Sequence, residues 1–202
     1  MASLAEQQLD LLKRMAELDP PPCVMGGYAE DALLAGTVTR PHEDVDWLLP
    51  RHELQLRLSQ AGQLGFAEFE TWGEAAPGEP FYLFGQSGDL KLDLGIADES
   101  DGHPWVKVHR LFFEVDGREA PAGYRVRLPR DTFGEPAVQI DGVTIHAASP
   151  LALLQLRVGI ASQNSFGPLS DRQRDSIQRL RERYFPTCSH EDLAPHIERL
   201  DQ

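Results

Sequence analysis

The stretch Cys23-Val24-Met25-Gly26-Gly27-Tyr28-Ala29-Glu30-Asp31-Ala32-Leu33-Leu34-Ala35-Gly36, continued by Thr37-Val38-Thr39-Arg40-Pro41-His42-Glu43-Asp44-Val45-Asp46-Trp47-Leu48-Leu49-Pro50, constrains this chain more than any other. Cys23–Met25 is short and apolar and reads as a strand. Tyr28–Ala35 reads as a helix closed by Gly36, and residues 37–42 as a connecting loop containing Pro41. Asp44–Leu49 reads as a second strand, stopped by Pro50. Gly26-Gly27 falls between strand and helix, where glycine lets the backbone approach a ligand and the helix start offers free N–H groups to an anion. Asp44 and Asp46 are two apart on a strand, so their side chains share one face. Two like charges held together repel unless a cation sits between them, and hard oxygen donors suit magnesium.

Working outward, residues 3–18 place leucines and Met15 on one helical face, ended by Pro20–Pro22. A helix is expected from Arg51 to about Ala61. Extended runs follow at 66–71, 81–85, 90–96, 105–115, 123–128 and 137–146, divided by Pro77-Gly78, Ser87-Gly88, Asp116-Gly117 and Asp141-Gly142. The last two signals sit between apolar runs and make good hairpin turns. Helical patterning returns at Pro150–Ser162, Asp171–Tyr184 and Glu191–Leu200, with Pro150 at a first helical position. The order implies an α+β architecture, divided into a domain over 1–147 and a small C-terminal helical region over 148–202. In the run 90–96, Lys91 and Asp93 share a face, and Asp93 sits between Leu92 and Leu94, where an ionised carboxylate needs a partner. If the two carboxylate-bearing strands are neighbours, Asp93 completes a three-carboxylate cradle. Asp89 is the alternative third carboxylate, although its place after Ser87-Gly88 reads as a turn.

The 202 residues carry 19 lysines and arginines against 32 aspartates and glutamates, a net charge of −13. Residues 1–101 hold 6 of the basic and 19 of the acidic residues, so the whole excess lies in the half with the carboxylates. Affinity for nucleic acid comes largely from clustered lysine and arginine, so this balance argues against a nucleic-acid partner and leaves room for metal ions or a cationic small molecule. Two cysteines, Cys23 and Cys188, make neither a disulfide framework nor a multi-cysteine zinc site. The N-terminal helix lacks the uninterrupted apolar stretch of a signal peptide, so the expectation is a soluble, cytoplasmic chain without a membrane partner. Dinucleotide, P-loop and nucleophile-elbow fingerprints are absent, and the seven histidines do not cluster for zinc. Trp47, Trp72 and Trp105 read first as packing, as does the arginine-rich helix after Asp171 as solvated surface.

Met25–Gly36 together with Thr39–Asp46 resembles the polymerase-β-type nucleotidyltransferases, and more narrowly the branch of aminoglycoside 2″-nucleotidyltransferases and lincosamide nucleotidyltransferases. The family pattern is a Gly-Gly or Gly-Ser turn, a short helix, Asp-x-Asp on a strand and a third Asp on a later strand, and all occur here in order. The resemblance implies a mixed β-sheet flanked by helices. It also implies transfer of a nucleoside monophosphate from a nucleoside triphosphate such as ATP to a hydroxyl of a small molecule, an aminoglycoside-like or lincosamide-like antibiotic. Asp44, Asp46 and Asp93 would hold two magnesium ions, with Asp93 also helping to deprotonate the hydroxyl. Gly26 and Gly27 would hold the terminal phosphates, and Arg40 and His42 would contact the nucleotide. Glu68, Glu70, Glu74 and Glu79 could line a pocket for a polycationic acceptor. Two alternatives remain open at this point: a toxin- or antitoxin-type relative that modifies a protein or tRNA, and a non-catalytic nucleotide-binding module.

Overall fold

Ser3 opens α1 (Leu4–Ala16) with a capping box, its hydroxyl accepting from the Glu6 N–H while the Glu6 carboxylate accepts from the Ser3 N–H. The helix buries Leu11, Leu12 and Met15, and the fully buried Trp47 donates its indole N–H to the Met15 sulfur at 3.4 Å. The computed structural model describes residues 3–71, 78–109, 123–134, 137–162 and 170–200. The expected run 105–115 beyond His109, the Asp116-Gly117 turn, Trp72, Glu74 and Pro77 lie outside those residues.

After α1 come β1 (Cys23–Met25), α2 (Gly26–Leu34), β2 (Val45–Pro50), a 3-10 turn at Arg51–Glu53 and α3 (Leu54–Gln63). The strands β3 (Phe69–Thr71), β4 (Tyr82–Ser87), β5 (Leu90–Ser100), β6 (His103–His109), β7 (Gly123–Arg127), β8 (Val138–Ile140) and β9 (Val143–Ala147) follow. The chain then forms α4 (Pro150–Ser162), α5 (Asp171–Tyr184), α6 (His190–Leu193) and β10 (His196–Leu200). Among the described residues these strands make one mixed sheet in the order β10-β7-β6-β5-β2-β1-β9-β8, with β4 joined to β5 and β3 to β4. β2 runs parallel to β5 and antiparallel to β1, and β1 is parallel to β9. The arrangement is the expected α+β class with helices packed on the sheet.

β5 is the organising strand. Its first part pairs with β2 on one side and β4 on the other, and its last residues, Ala97–Ser100, pair with β6. Leu92, Leu94 and Ile96 are fully buried, consistent with a strand covered on both flanks. The β8–β9 hairpin turns at Asp141 and Gly142, whose φ values of 45° and 77° are both positive, as a two-residue hairpin turn requires. The Asp141 carboxylate accepts from the Thr37 hydroxyl and the Val38 N–H, tying this hairpin to the loop after α2.

One expectation is overturned. Glu191–Leu200 is not a helix: only the single turn α6 forms, and His196–Leu200 is an edge strand antiparallel to β7. Pro195 cannot donate to a continuing helix, and the residues after it can complete the ladder of β7 instead. Arg125 binds Glu198 across that pair, at 2.8 and 2.5 Å. No helix among the described residues is long and apolar enough to cross a membrane.

Candidate active site

The parallel pairing of β2 with β5 sets Asp46 directly opposite Asp93, and residues paired in this way project from the same face. Asp44 precedes β2 by one residue. One carboxylate oxygen from each of Asp44, Asp46 and Asp93 lies within 4.8 Å of the others. Asp93 is only 7% exposed, and the other two are half-buried. Burial first, then the neighbouring Asp44, pushes Asp93 up to about 7. Burial, then Asp44 and Asp93, holds Asp46 well above the usual carboxylate range, and burial and Glu43 raise Asp44. Among the described residues no lysine or arginine forms a salt bridge with any of the three. Such a concentration of hard oxygen donors is the kind of set that suits a divalent cation, and these residues fit magnesium. Asp89 stands apart in the turn between β4 and β5.

The start of α2 meets this cluster. Gly26 has φ +66°, and a Cβ there would fall 1.9 Å from the Asp46 Oδ2. A Cβ on Gly27 would fall 2.3 Å from the His42 Nδ1 and 3.0 Å from the Arg40 Nη2. The two glycines are therefore demanded by the site's own side chains, a reason beyond the ligand approach expected from the sequence. Helices α1, α5 and α6 each begin with a serine capping box, whereas the first N–H groups of α2 have no side-chain cap. These donors stand beside Asp46 at the end of a helix dipole, a place suited to an anion that shares a cation with the carboxylates.

Arg40 and His42 occupy the loop before Asp44. His42 is 6% exposed and its ring lies 4.1 Å from that of Tyr28. Arg40 can only donate, so its 2.8 Å contact with the His42 Nδ1 makes that nitrogen the acceptor. The Nε2–H is then left to donate to the Asp31 Oδ2, also at 2.8 Å. Asp31 accepts further bonds from the Thr39 N–H and hydroxyl at 2.9 and 2.6 Å. Burial would raise Asp31, but these bonds from His42 and Thr39 outweigh it and hold the carboxyl below its ordinary value. The structure thus places His42 inside the protein, with both ring nitrogens engaged, and leaves Arg40 as the member of the loop nearer the surface.

Two participants escaped the sequence reading. Glu30, 3% exposed, accepts from the Arg157 Nε at 2.6 Å and stands 3.7 Å from the Arg40 Nη2. The signal was present as two adjacent carboxylates, Glu30 and Asp31, in an otherwise apolar α2 and a lone arginine in apolar α4, charges that a buried face tolerates only with partners. Beside them a cleft of about 550 Å³ opens between α2, α4 and α5, with Arg40, Arg157, Arg172 and Arg179 in its wall. Tyr82 is the second: its hydroxyl lies 3.5 Å from the Asp46 Oδ1. Trp47 and Trp105 are core residues, 0% and 3% exposed. Among the expected acceptor-pocket glutamates, Glu68, Glu70 and Glu79 are exposed. Cys23 and Cys188 are free, and burial pushes the Cys23 thiol up to about 12.

No family model matches the chain, and no curated protein matches it in sequence. Solved structures do match. The crystal structure of ANT(2″)-Ia in complex with adenylyl-2″-tobramycin superposes with a TM-score of 0.63 at 20% identity, over 94% of this chain and 92% of that one. The solution structure of ANT(2″)-Ia, described as an antibiotic-resistance factor, gives 0.62 at 21% identity, over 93% and 88%. At such identities the likeness shows the fold: this chain has the nucleotidyltransferase fold of those structures.

Proposed function

We propose that this protein is a magnesium-dependent nucleotidyltransferase, which moves a nucleoside monophosphate from a nucleoside triphosphate to a hydroxyl of a small molecule and releases pyrophosphate. The observation that carries this reading is the convergence of Asp44, Asp46 and Asp93 on the uncapped start of α2. Asp44, Asp46 and Asp93 would hold two magnesium ions, which when bound neutralise charge on the attacking and leaving oxygens. Gly26, Gly27 and the α2 N–H groups hold the terminal phosphates and keep the leaving pyrophosphate at that end. Asp93 accepts the proton of the attacking hydroxyl as its oxygen bonds to the α-phosphorus and the bond to the bridging oxygen breaks. Arg40 contacts the phosphates, and His42, itself fixed by Asp31, sets the direction of the guanidinium. Soluble magnesium nucleotide in the cytoplasm is the natural donor pool, with ATP the first nucleotide to test. The likeness to a structure carrying an adenylylated aminoglycoside makes aminoglycosides, and after them lincosamides, the first acceptors to test.

The direct test is incubation with magnesium, labelled nucleoside triphosphates and a panel of both antibiotic classes. Pyrophosphate release that disappears in Asp44→Asn and Asp46→Asn supports the mechanism. Failure to bind any nucleotide in the presence of magnesium sinks it, and undiminished turnover in Asp93→Asn removes the role given to that residue.

A further inference from the structure

Glu30 and Asp31 are neighbours on α2, and they reach Arg40 by different routes. Asp31 holds the His42 ring, whose Nδ1 accepts from the Arg40 Nη1 at 2.8 Å. Glu30 faces the other amino group, its Oε2 standing 3.7 Å from the Arg40 Nη2. That separation makes an ion pair but is too long for a hydrogen bond, so Nη2 is attracted without being tied down. A Cβ on Gly27 would fall 3.0 Å from the same Nη2, which sets this amino group against the first turn of α2. Among the described residues neither the Nη2 nor the Nε of Arg40 hydrogen-bonds to the protein.

The reason Glu30 does not close on Arg40 lies on α4. A carboxylate only 3% exposed has lost most of its water and takes the best charged donor within reach. Here that donor is the Arg157 Nε, 2.6 Å from the Glu30 Oε1, against 3.7 Å for Arg40. Both arginines stand in the wall of the cleft between α2, α4 and α5. Two guanidiniums around one carboxylate leave one positive charge over, and the geometry leaves it on Arg40. Resting on the nucleotidyl-transfer reading, in which Arg40 contacts the phosphates, we propose that Arg157 is a positioning residue: by occupying Glu30 it keeps the Arg40 guanidinium free at the start of α2 for the terminal phosphates. Without Arg157, the desolvated Glu30 draws Arg40 into a direct hydrogen-bonded pair and withdraws it from the nucleotide. Without Glu30, no carboxylate on α2 competes with the phosphates for the Arg40 Nη2, and His42 still holds Nη1. The ion pair thus links α4 to nucleotide binding with no contact between Arg157 and the nucleotide.

Binding of a non-hydrolysable ATP analogue to the full chain, with magnesium present, is measured calorimetrically in wild type and variants. Arg157→Gln weakens the analogue about tenfold, the effect of losing one charge-assisted hydrogen bond to phosphate. Glu30→Gln, although it alters the residue that faces Arg40, stays within about threefold of wild type. Adding Glu30→Gln to Arg157→Gln restores affinity to that same level. In a crystal of nucleotide-free Arg157→Gln, the Arg40 Nη2 lies within hydrogen-bond distance of Glu30. A role confined to packing predicts a different pattern, with lower melting temperatures in the single variants and unchanged analogue affinity in the folded protein. Removing one side of a buried pair destabilises a fold strongly, so Glu30→Gln and the double variant report even if Arg157→Gln fails to fold. Wild-type affinity in folded Arg157→Gln, an unmoved Arg40 in its crystal, or a comparable loss in Glu30→Gln alone would overturn the proposal. So would a double variant as weak as Arg157→Gln is expected to be, which is the mark of an Arg157 that touches phosphate directly. Analogue binding by wild type that needs magnesium and vanishes in Asp44→Asn upholds the nucleotidyl-transfer reading whatever the Arg157 and Glu30 variants do. A wild type that binds no analogue overturns both, so the two failures are told apart.

Discussion

Gly26 and Asp46 illustrate how tightly this site is built at the level of single residues. The glycine adopts φ +66°, which by itself costs an L-residue about 1–2 kcal/mol, and any Cβ would enter the space of the Asp46 carboxylate. Gly26→Ala is therefore expected to lower stability by at least that amount in a denaturant titration and to displace Asp46, abolishing magnesium-dependent nucleotide binding. Retention of wild-type nucleotide affinity would contradict the close packing described. Residue-scale reading of the sequence went far here because its signals are short-range. The period of two puts Asp44 and Asp46 on one face, and two glycines between a strand and a helix mark a close approach. Glu30 and Arg157 lie 127 residues apart, and no local spacing encodes their meeting. Only the packing of α2 against α4 brings them together.

Elements were legible in proportion to how locally their structure is determined. Pro150–Ser162, Asp171–Tyr184 and the Asp141-Gly142 hairpin follow from caps, turn residues and apolar periodicity. The segment after Pro195 did not, because five residues with mixed polarity carry little preference of their own. The open edge of β7 decides their conformation, as tertiary context does for most short strands. If β10 covers that edge, a chain ending at Ala194 exposes a row of unpaired backbone groups on β7 and loses the Arg125–Glu198 contact. Such a chain is expected to melt at a lower temperature and to show increased light scattering on warming. An unchanged melting temperature without aggregation would show that the last strand contributes nothing to the sheet. The neighbouring pairing of β2 with β5 could be posed from the sequence only as a condition, since parallel neighbours are joined through intervening chain whose path local patterns do not specify.

Across the whole molecule, the acidic excess of the first half now has a focus in Asp44, Asp46 and Asp93, three carboxylates whose mutual repulsion the fold sustains. A carboxyl raised from 3.8 to about 7 binds its proton more tightly in the folded chain than in the unfolded one. The folded state then holds more protons between those values, so the contribution of Asp93 to stability falls as pH rises from about 4 to 7 and is level above. In metal-free buffer, the difference in melting temperature between Asp93→Asn and wild type should therefore widen in favour of the variant across that window. A constant difference would mean that Asp93 is not held in a repulsive, desolvated setting. Magnesium should act in the opposite direction, since it binds the ionised form.

These opposing effects meet in Asp46→Asn, because a site built for a cation costs stability when no cation neutralises it. The most direct test of the account is the melting temperature of wild type and Asp46→Asn, each measured without metal and then with magnesium and ATP. The account predicts that metal-free Asp46→Asn melts above wild type by a few degrees, since 1 kcal/mol shifts the melting temperature of a chain of 202 residues by about 2–4 °C. It also predicts that magnesium and ATP together raise wild type but leave the variant where it was. A wild-type chain indifferent to magnesium and ATP, or a variant that responds as fully as wild type, would contradict it.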